Sequence, residues 1–313
     1  MNARRPLHAQ RVRAAWRFAL PACALLLLAA ALPLARTVWL SLTDASADDP
    51  SRAAFVGLAN YLSCIGGRCG GGVYGGVLGD ARWWQAVRNT VVFAVASVAL
   101  ELVVGMAVAL SLDRPFPGRA LVRTAVLVPW ALPTIVSAQM WGWMLHDQYG
   151  IVNWMLRGLG AIEDGIPWLA QPSTALAAIV VIDAWKSTPF MALMLLAALQ
   201  TVPGELRDAA RIDGATPWQA LRRVVLPTIF PAVAVAVVFR LLDALRVFDL
   251  IYIVNPAGED VASMSVYARR LLFEYGRFGE GSAASVLLFA VVGGIAIAWI
   301  RVTRVIDRAE GGR

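Results

Sequence analysis

Two clusters of ionisable side chains stand where the surrounding sequence is almost wholly apolar. Asp183, Lys186 and Ser187 lie within IVVIDAWKSTPF, and Arg240, Asp243, Arg246 and Asp249 recur every third residue within VVFRLLDALRVFDLI. A charge at the centre of an apolar span costs about 2.5–3.5 kcal/mol, so each needs an ion partner or a watery cavity. Residues three and four apart share a helix face, which makes Asp183 and Ser187 a polar stripe fit to line a cavity. The plainer alternative is an Asp183–Lys186 pair that only neutralises itself. Steps of three drift by about 60° around a helix, so the second ladder winds and cannot face one cavity throughout. Its middle members, Asp243 and Arg246, are the cavity candidates, with an interhelical salt bridge as the alternative. Trp130, Thr134 and Gln139 add an indole plate, a hydroxyl and an amide. Such a set suits a solute with apolar ring faces and many hydroxyls, because pockets combine apolar walls with a few placed polar groups. For Trp130, ordinary helix packing is an equal reading.

Other chemistries find little support. A phosphate-binding loop needs glycines ahead of its lysine. The only lysine, Lys186, follows Trp185 inside an apolar segment. His8 and His146 are far apart, and no nucleophile–histidine–acid set is evident. Cys64 and Cys69 lie close together in an outward loop, where an oxidising compartment permits a small disulfide. A zinc site needs about four ligands, and no histidine lies near them, so no metal is expected. The chain reads as non-catalytic.

The elements that must position these residues are membrane spans. Of 313 residues, 59% are apolar and 16% charged, against about a quarter charged in ordinary soluble domains. A spanning helix needs roughly 20 mostly apolar residues. Six segments qualify, near 17–42, 87–112, 120–145, 173–200, 226–254 and 283–303, so the expected fold is all-α and polytopic. The first run is too long for a signal-peptide core and is expected to stay as an uncleaved anchor, despite the small residues at Ala45–Ser46–Ala47. Arginines in the N-terminal tail (Arg4, Arg5, Arg11, Arg13, Arg17), at Arg114, Arg119 and Arg123, at Arg207, Arg211, Arg222 and Arg223, and at the C-terminus outnumber those on the other side. The positive-inside rule then places both termini in the cytoplasm, and it accounts for the formal charge of +7 without nucleic acid. Trp83 and Trp84, with Trp16, Trp39 and Trp168, read as headgroup-level anchors. Pro129 and Pro133 should bend the third span. The glycine-rich stretch from Gly66 to Gly79 reads as a flexible insertion.

A charged island, PGELRDAARIDGATPWQALRRVVLP, separates the fourth and fifth spans. Residues 204–212 predict a helix, and Gly214 a reversal. Thr216 is suited to cap the next helix, with Pro217 as its first residue. The result is a helix–turn–helix tethered at both ends to the membrane, which disfavours a DNA-reading role.

The order D-A-A-x-x-D-G-A followed by V-x-L-P resembles the cytoplasmic coupling loop of permease subunits of binding-protein-dependent ABC importers. The matching positions are Asp208, Ala209, Ala210, Asp213, Gly214, Ala215, Leu226 and Pro227, with Glu205 just ahead of them. Asp208 stands where the family usually has Glu. FVGLANY, WWQAVRNTVVF, RTAVLVPWALPT, DAWKSTPFMALMLLAALQTVP and DALRVFDLIYI resemble the sugar-importing branch, related to permeases for maltose, trehalose and glycerol phosphate. The resemblance implies a MetI-like core of five helices over 87–304, carrying the coupling loop 203–227. Residues 1–86 would hold the N-terminal tail, the first span and an outward loop, and 305–313 a cytoplasmic tail. It further implies a bacterial inner membrane location and a set of partners: a second permease subunit, two ATPase subunits that hold ATP and Mg, and a periplasmic solute-binding protein. The small Ala209 and Ala210 would let the loop enter the ATPase closely. A disaccharide or oligosaccharide is the expected cargo. Glycerol phosphate or a polyamine is the alternative, and an ion-coupled secondary transporter, which needs no such loop, is a remote one.

Overall fold

The computed structural model describes residues 4–48, 53–64, 74–256 and 258–310. By its internal contacts the chain forms two units, residues 1–80 with 268–287, and 81–267 with 288–313.

In the first unit, α1 (Arg4–Leu26) and α2 (Leu32–Ser41) continue one another through a π turn at Leu27–Ala31. The FVGLANY segment then folds back on the end of α2. Thr43 and Phe55 form an antiparallel bridge. Asn60 Nδ2 donates to the carbonyls of Ser41 and Thr43 at 2.9 and 2.7 Å. The Tyr61 hydroxyl lies 2.7 Å from Ser41 Oγ. The segment is therefore a structural clamp that satisfies the open carbonyls of a helix end. Two two-residue strands, β1 (Ser63–Cys64) and β2 (Tyr74–Gly75), pair antiparallel. The far end of the glycine-rich stretch is not a free coil as expected. Gly76 has φ +80°, and a Cβ there would meet the Ala59 carbonyl at 2.9 Å. Residues 65–73, with Cys69 and the side chain of Cys64, lie outside the described residues, and so does the expected disulfide.

The second unit contains α3 (Ala81–Asp113), α4 (Arg119–Ala131), α5 (Thr134–Met144), α6 (Ile151–Gly158), α7 (Pro172–Gln200), α8 (Gly204–Ile212) and α9 (Pro217–Ala220). A π turn at Leu221–Val225 leads into α10 (Leu226–Ala244), followed by α11 (Asp249–Val254). The short α12 (Met264–Arg269) and α13 (Phe278–Glu310), which ends the described chain, each have residues in both units. Among the described residues, five helices are long and apolar enough to cross a membrane, and α4 with α5 make a sixth span if the bent pair is counted as one. That pair turns by 90°. Pro133 causes the break, as N-cap of α5 with extended backbone, whereas Pro129 sits inside α4 without interrupting it.

The fifth span needs the main correction. It runs from Pro217 to Ala244, not from 226 to 254. The every-third-residue ladder is therefore not on one helix. Arg240 and Asp243 are on α10, Arg246 is in the turn, and Asp249 opens α11.

The core of this unit lies among α3, α7 and α10, where Phe93, Ile179, Met191, Leu195 and Ile229 are fully buried. In lipid, close packing rather than water exclusion holds helices together, and small residues allow backbones to approach. Ala94 and Ala109 on α3 and Ala192 on α7 are buried accordingly.

Two expected interfacial anchors turn inward. Trp83 is buried beside Tyr267, with ring centroids 5.6 Å apart, while Trp84 is exposed as expected. Trp168 donates its indole N–H to Asn153 Oδ1 at 3.0 Å. Buried Asn153 also donates to the carbonyls of His146 and Ile166 and accepts from Ile166 N. One amide thus pins both ends of the loop between α5 and α7.

Candidate functional site: a buried charge centre and the cavity beside it

Arg240 projects from α10 into the contact with α3 and α7, and its side chain is only 3% exposed. Its Nη2 donates to Glu101 Oε1 at 2.8 Å and to Asp183 Oδ2, and its Nη1 donates to Asp243 Oδ2 at 2.9 Å. Nε approaches Glu101 Oε2 to 2.7 Å, yet neither atom makes a directed hydrogen bond, so this contact is an ion pair by proximity. Ser97 Oγ lies 2.8 Å from Glu101 Oε1 and also within reach of Asp183 Oδ2. Its single proton can serve one of them at a time. One guanidinium therefore gathers three carboxylates, which its planar fork of five donors makes possible.

The burial of the carboxylates is graded. The side chains of Glu101, Asp183 and Asp243 are 0%, 13% and 65% exposed. The network runs from the dry interior of α3 outward to open space. That space is a cavity of about 190 Å³, lined by Thr134, Asp183, Lys186, Ser187, Arg240, Asp243, Arg246 and Asp249 among others. Its lining carries three acidic and three basic groups. Phe93 and Phe248 contribute apolar wall.

Of the residues singled out from sequence, Thr134, Asp183, Ser187, Asp243 and Arg246 meet at this cavity, although they come from α5, α7, α10 and the turn after it. Trp130 and Gln139 do not line it, and both are exposed. Trp130 stacks on Phe190 at 6.1 Å, and Phe190 leans on Phe239 at 5.8 Å. These rings form a row outside the cavity lining, with Trp130 on the far side of the 90° bend from Thr134. The Asp183–Lys186 pair is not formed, since Asp183 turns to Arg240 and Ser97. Arg246 bonds back to the Leu242 carbonyl through Nε at 3.2 Å.

Sequence reasoning missed Glu101 and Ser97. The signal was present, because Glu101 is an acidic residue deep inside the apolar run VVFAVASVALELVVGMAVAL.

At the other end of α7, the loop 203–227 folds as its sequence predicts. α8 covers Gly204–Ile212, and Gly214 takes φ +75°. Gly214 N bonds to Arg211 O and Ala215 N to Ala210 O, both at 3.0 Å. That is the pairing of a glycine-terminated helix. Thr216 and Gln219 form a reciprocal capping box with Pro217 at the first helical position. Arg207 ties α8 to two core helices. It pairs with Asp113 at 2.7 Å and donates to Leu199 O at 2.9 Å, which satisfies a carbonyl at the end of α7. Glu205, Asp208, Ala209, Ile212 and Asp213 are exposed. Ala210 is instead buried against its own chain, so of the two alanines only Ala209 offers a close approach.

Residues 101–308 match the family described as binding-protein-dependent transport system inner membrane component. The match begins at Glu101. The chain is 39% identical over 288 residues to the trehalose/maltose transport system permease protein MalF of Thermococcus litoralis, covering 91% of this chain and 92% of that protein. It is 37% identical over 293 residues to the trehalose transport system permease protein SugA of Mycobacterium tuberculosis, covering 92% and 88%. Among solved structures, a chain of a bacterial ABC transporter involved in import of the acidic polysaccharide alginate superposes with a TM-score of 0.79 at 23% identity. That superposition covers 97% of this chain and 99% of the other.

Proposed function

The chain belongs to the family of inner membrane components of binding-protein-dependent transport systems, and from that premise we propose that it carries a neutral disaccharide or oligosaccharide across the membrane. The carrying observation is the charge-balanced, hydroxyl-bearing cavity, with Phe248 in its wall. A phenyl face suits the apolar face of a sugar ring, and carboxylates, serine and threonine suit hydroxyls. The names of the trehalose and maltose relatives point the same way. A phosphate ester would favour a basic lining and a polyamine an acidic one. The balance supports neither alternative.

In this reading the chain hydrolyses nothing. It pairs with a second permease chain and two ATPase subunits that hold ATP and Mg, and it receives sugar from a periplasmic binding protein. Both termini and the 203–227 loop face the cytoplasm, in keeping with the arginine distribution. The loop's exposed face seats on an ATPase. Arg207, bound to α3 and α7, passes its movement to the helices that carry the charge centre, and access to the cavity alternates.

The test is ATPase activity of the reconstituted complex with its binding protein across trehalose, maltose, longer glucans, glycerol phosphate and spermidine. Stimulation by a neutral saccharide is expected. A flat response to every sugar, with a rise for glycerol phosphate or spermidine, overturns the cargo assignment.

A further inference from the structure

Beneath the 203–227 loop lies a cavity of about 900 Å³, larger than the one at the charge centre. Its walls are of two kinds. Leu110 and Leu221 form an apolar side over the buried Leu199 and Val225, while Arg114, Arg207 and Arg211 form a basic side. Asp113, already paired with Arg207, is the acidic residue of the lining. Arg114 has no ion partner among the described residues. Arg207 Nε is buried with no acceptor. Trp218, 66% exposed, stands in the lining. The cavity sits where α3 ends at Asp113 and α7 at Gln200, and indoles and arginines at the ends of spans favour lipid headgroups.

We propose that this cavity binds an anionic phospholipid of the cytoplasmic leaflet, with its phosphate held by Arg114, Arg207 and Arg211 and its acyl chain along Leu110 and Leu221. Basic pockets between helices on the cytoplasmic side take such headgroups. A small soluble anion would have no use for the apolar wall. The bound lipid bridges the α3–α4 turn and the 203–227 loop, so it stiffens the segment that receives the ATPase's movement. The inference rests on the cytoplasmic orientation proposed above.

The experiment uses the whole complex in nanodiscs of phosphatidylcholine alone or with added phosphatidylglycerol, read by hydrogen exchange over residues 204–225 and by native mass spectrometry of retained lipid. Phosphatidylglycerol should be retained and should slow exchange in the loop. Each arginine near an anionic surface is worth about fivefold in affinity, so the Arg114→Gln/Arg211→Gln double variant should lose about thirtyfold. Equal exchange in both discs overturns the proposal. So does protection given by inorganic phosphate in phosphatidylcholine discs, which marks a soluble-anion site, or protection that requires only the ATPase, which marks a protein socket. Labelling of Asp213→Cys by an impermeant thiol reagent in inverted vesicles, against the parent chain, reads orientation separately. Labelling from the opposite side sinks the orientation without touching the binding result.

Discussion

The loop 203–227 and the centre around Arg240 are both polar interruptions of apolar sequence, yet they are held in opposite ways. The loop's turns are held by neighbours in sequence, and of its bonds among the described residues only that of Arg207 reaches far, to Asp113. The local bonds run from Gly214 to Arg211, from Ala215 to Ala210, and between Thr216 and Gln219. The centre is held by residues far apart, Arg240 joining Glu101 across 139 positions and Asp183 across 57. Local bonds shape an exposed lug, which Arg207 then fixes to the ends of α3 and α7. Distant bonds make a buried knot that forms only when three helices are already in register. A transporter needs both, a part that another protein can grip and a part that answers as one body.

The strongest way to break this contrast is Arg240→Met. Removing one partner from a buried pair leaves an uncompensated charge and costs about 3–5 kcal/mol. Glu101 is fully buried and Asp183 nearly so, so the variant should lose most of its thermal stability in detergent and all transport. Adding Glu101→Gln should recover part of the stability by removing a buried charge. An Arg240→Met chain that melts like the parent would mean the centre does not hold the helices together.

Gly214→Pro attacks the loop alone. Proline is locked near φ −65° and lacks the N–H that bonds to Arg211, while Gly214 sits at φ +75°. Coupled transport should be abolished, while membrane insertion and the detergent melting point stay near the parent values. Gly214→Ala meets nothing within 4 Å, so it bears only the left-handed backbone cost of about 1–2 kcal/mol and should retain partial transport. Normal transport by the proline variant would remove the loop from the energy path.

The same contrast explains what could be read from the chain. Residues 204–212, the Gly214 turn and the Thr216–Pro217 start were legible because caps, glycine and proline act within a few positions of themselves. The apolar spans were legible because length and composition suffice. The end of the fifth span was not, because the apolar run continues to Val254 while the helix stops at Ala244 to let Arg246 and Asp249 turn toward the cavity. Trp83 and Trp168 were misread as anchors for a related reason. Indoles favour interfaces in general, but these two have particular partners, Tyr267 and Asn153, that only the fold supplies. Arg240 stood out as a charge needing a partner, but only the fold pairs it with Glu101, 139 positions away.

A smaller effect sharpens the picture within the centre. Asp183 and Asp243 both accept from Arg240, but their side chains are 13% and 65% exposed. Asp183→Asn should cost about 1.5–3 kcal/mol, the range for a hydrogen bond to a charged group. Asp243→Asn, solvated and screened, should cost under about 1 kcal/mol. Melting curves of the two variants check the order. In transport assays Asp243→Asn should then act mainly through the half-saturating sugar concentration, because its carboxylate faces the cavity. Equal destabilisation by both would show that the gradient of burial carries no energetic weight.

The smallest expected effect belongs to Thr216→Ala. The capping contact from Gln219 N to Thr216 Oγ1 is long, at 3.3 Å, while its reciprocal from Thr216 N to Gln219 Oε1 is 2.8 Å. The loss should therefore fall at the low end of the capping range, about 0.5–1 kcal/mol. Because the box is local, the damage should stay local. Hydrogen exchange should quicken over Pro217–Val225 by a few fold, with α3, α7 and the Arg240 centre unchanged. Transport should fall by less than in Gly214→Ala, since the reversal itself survives. Faster exchange reaching Glu101 or Asp183 would mean that the lug and the knot are energetically one unit, and that Arg207, which bonds both Asp113 and Leu199, transmits even a frayed cap into the core.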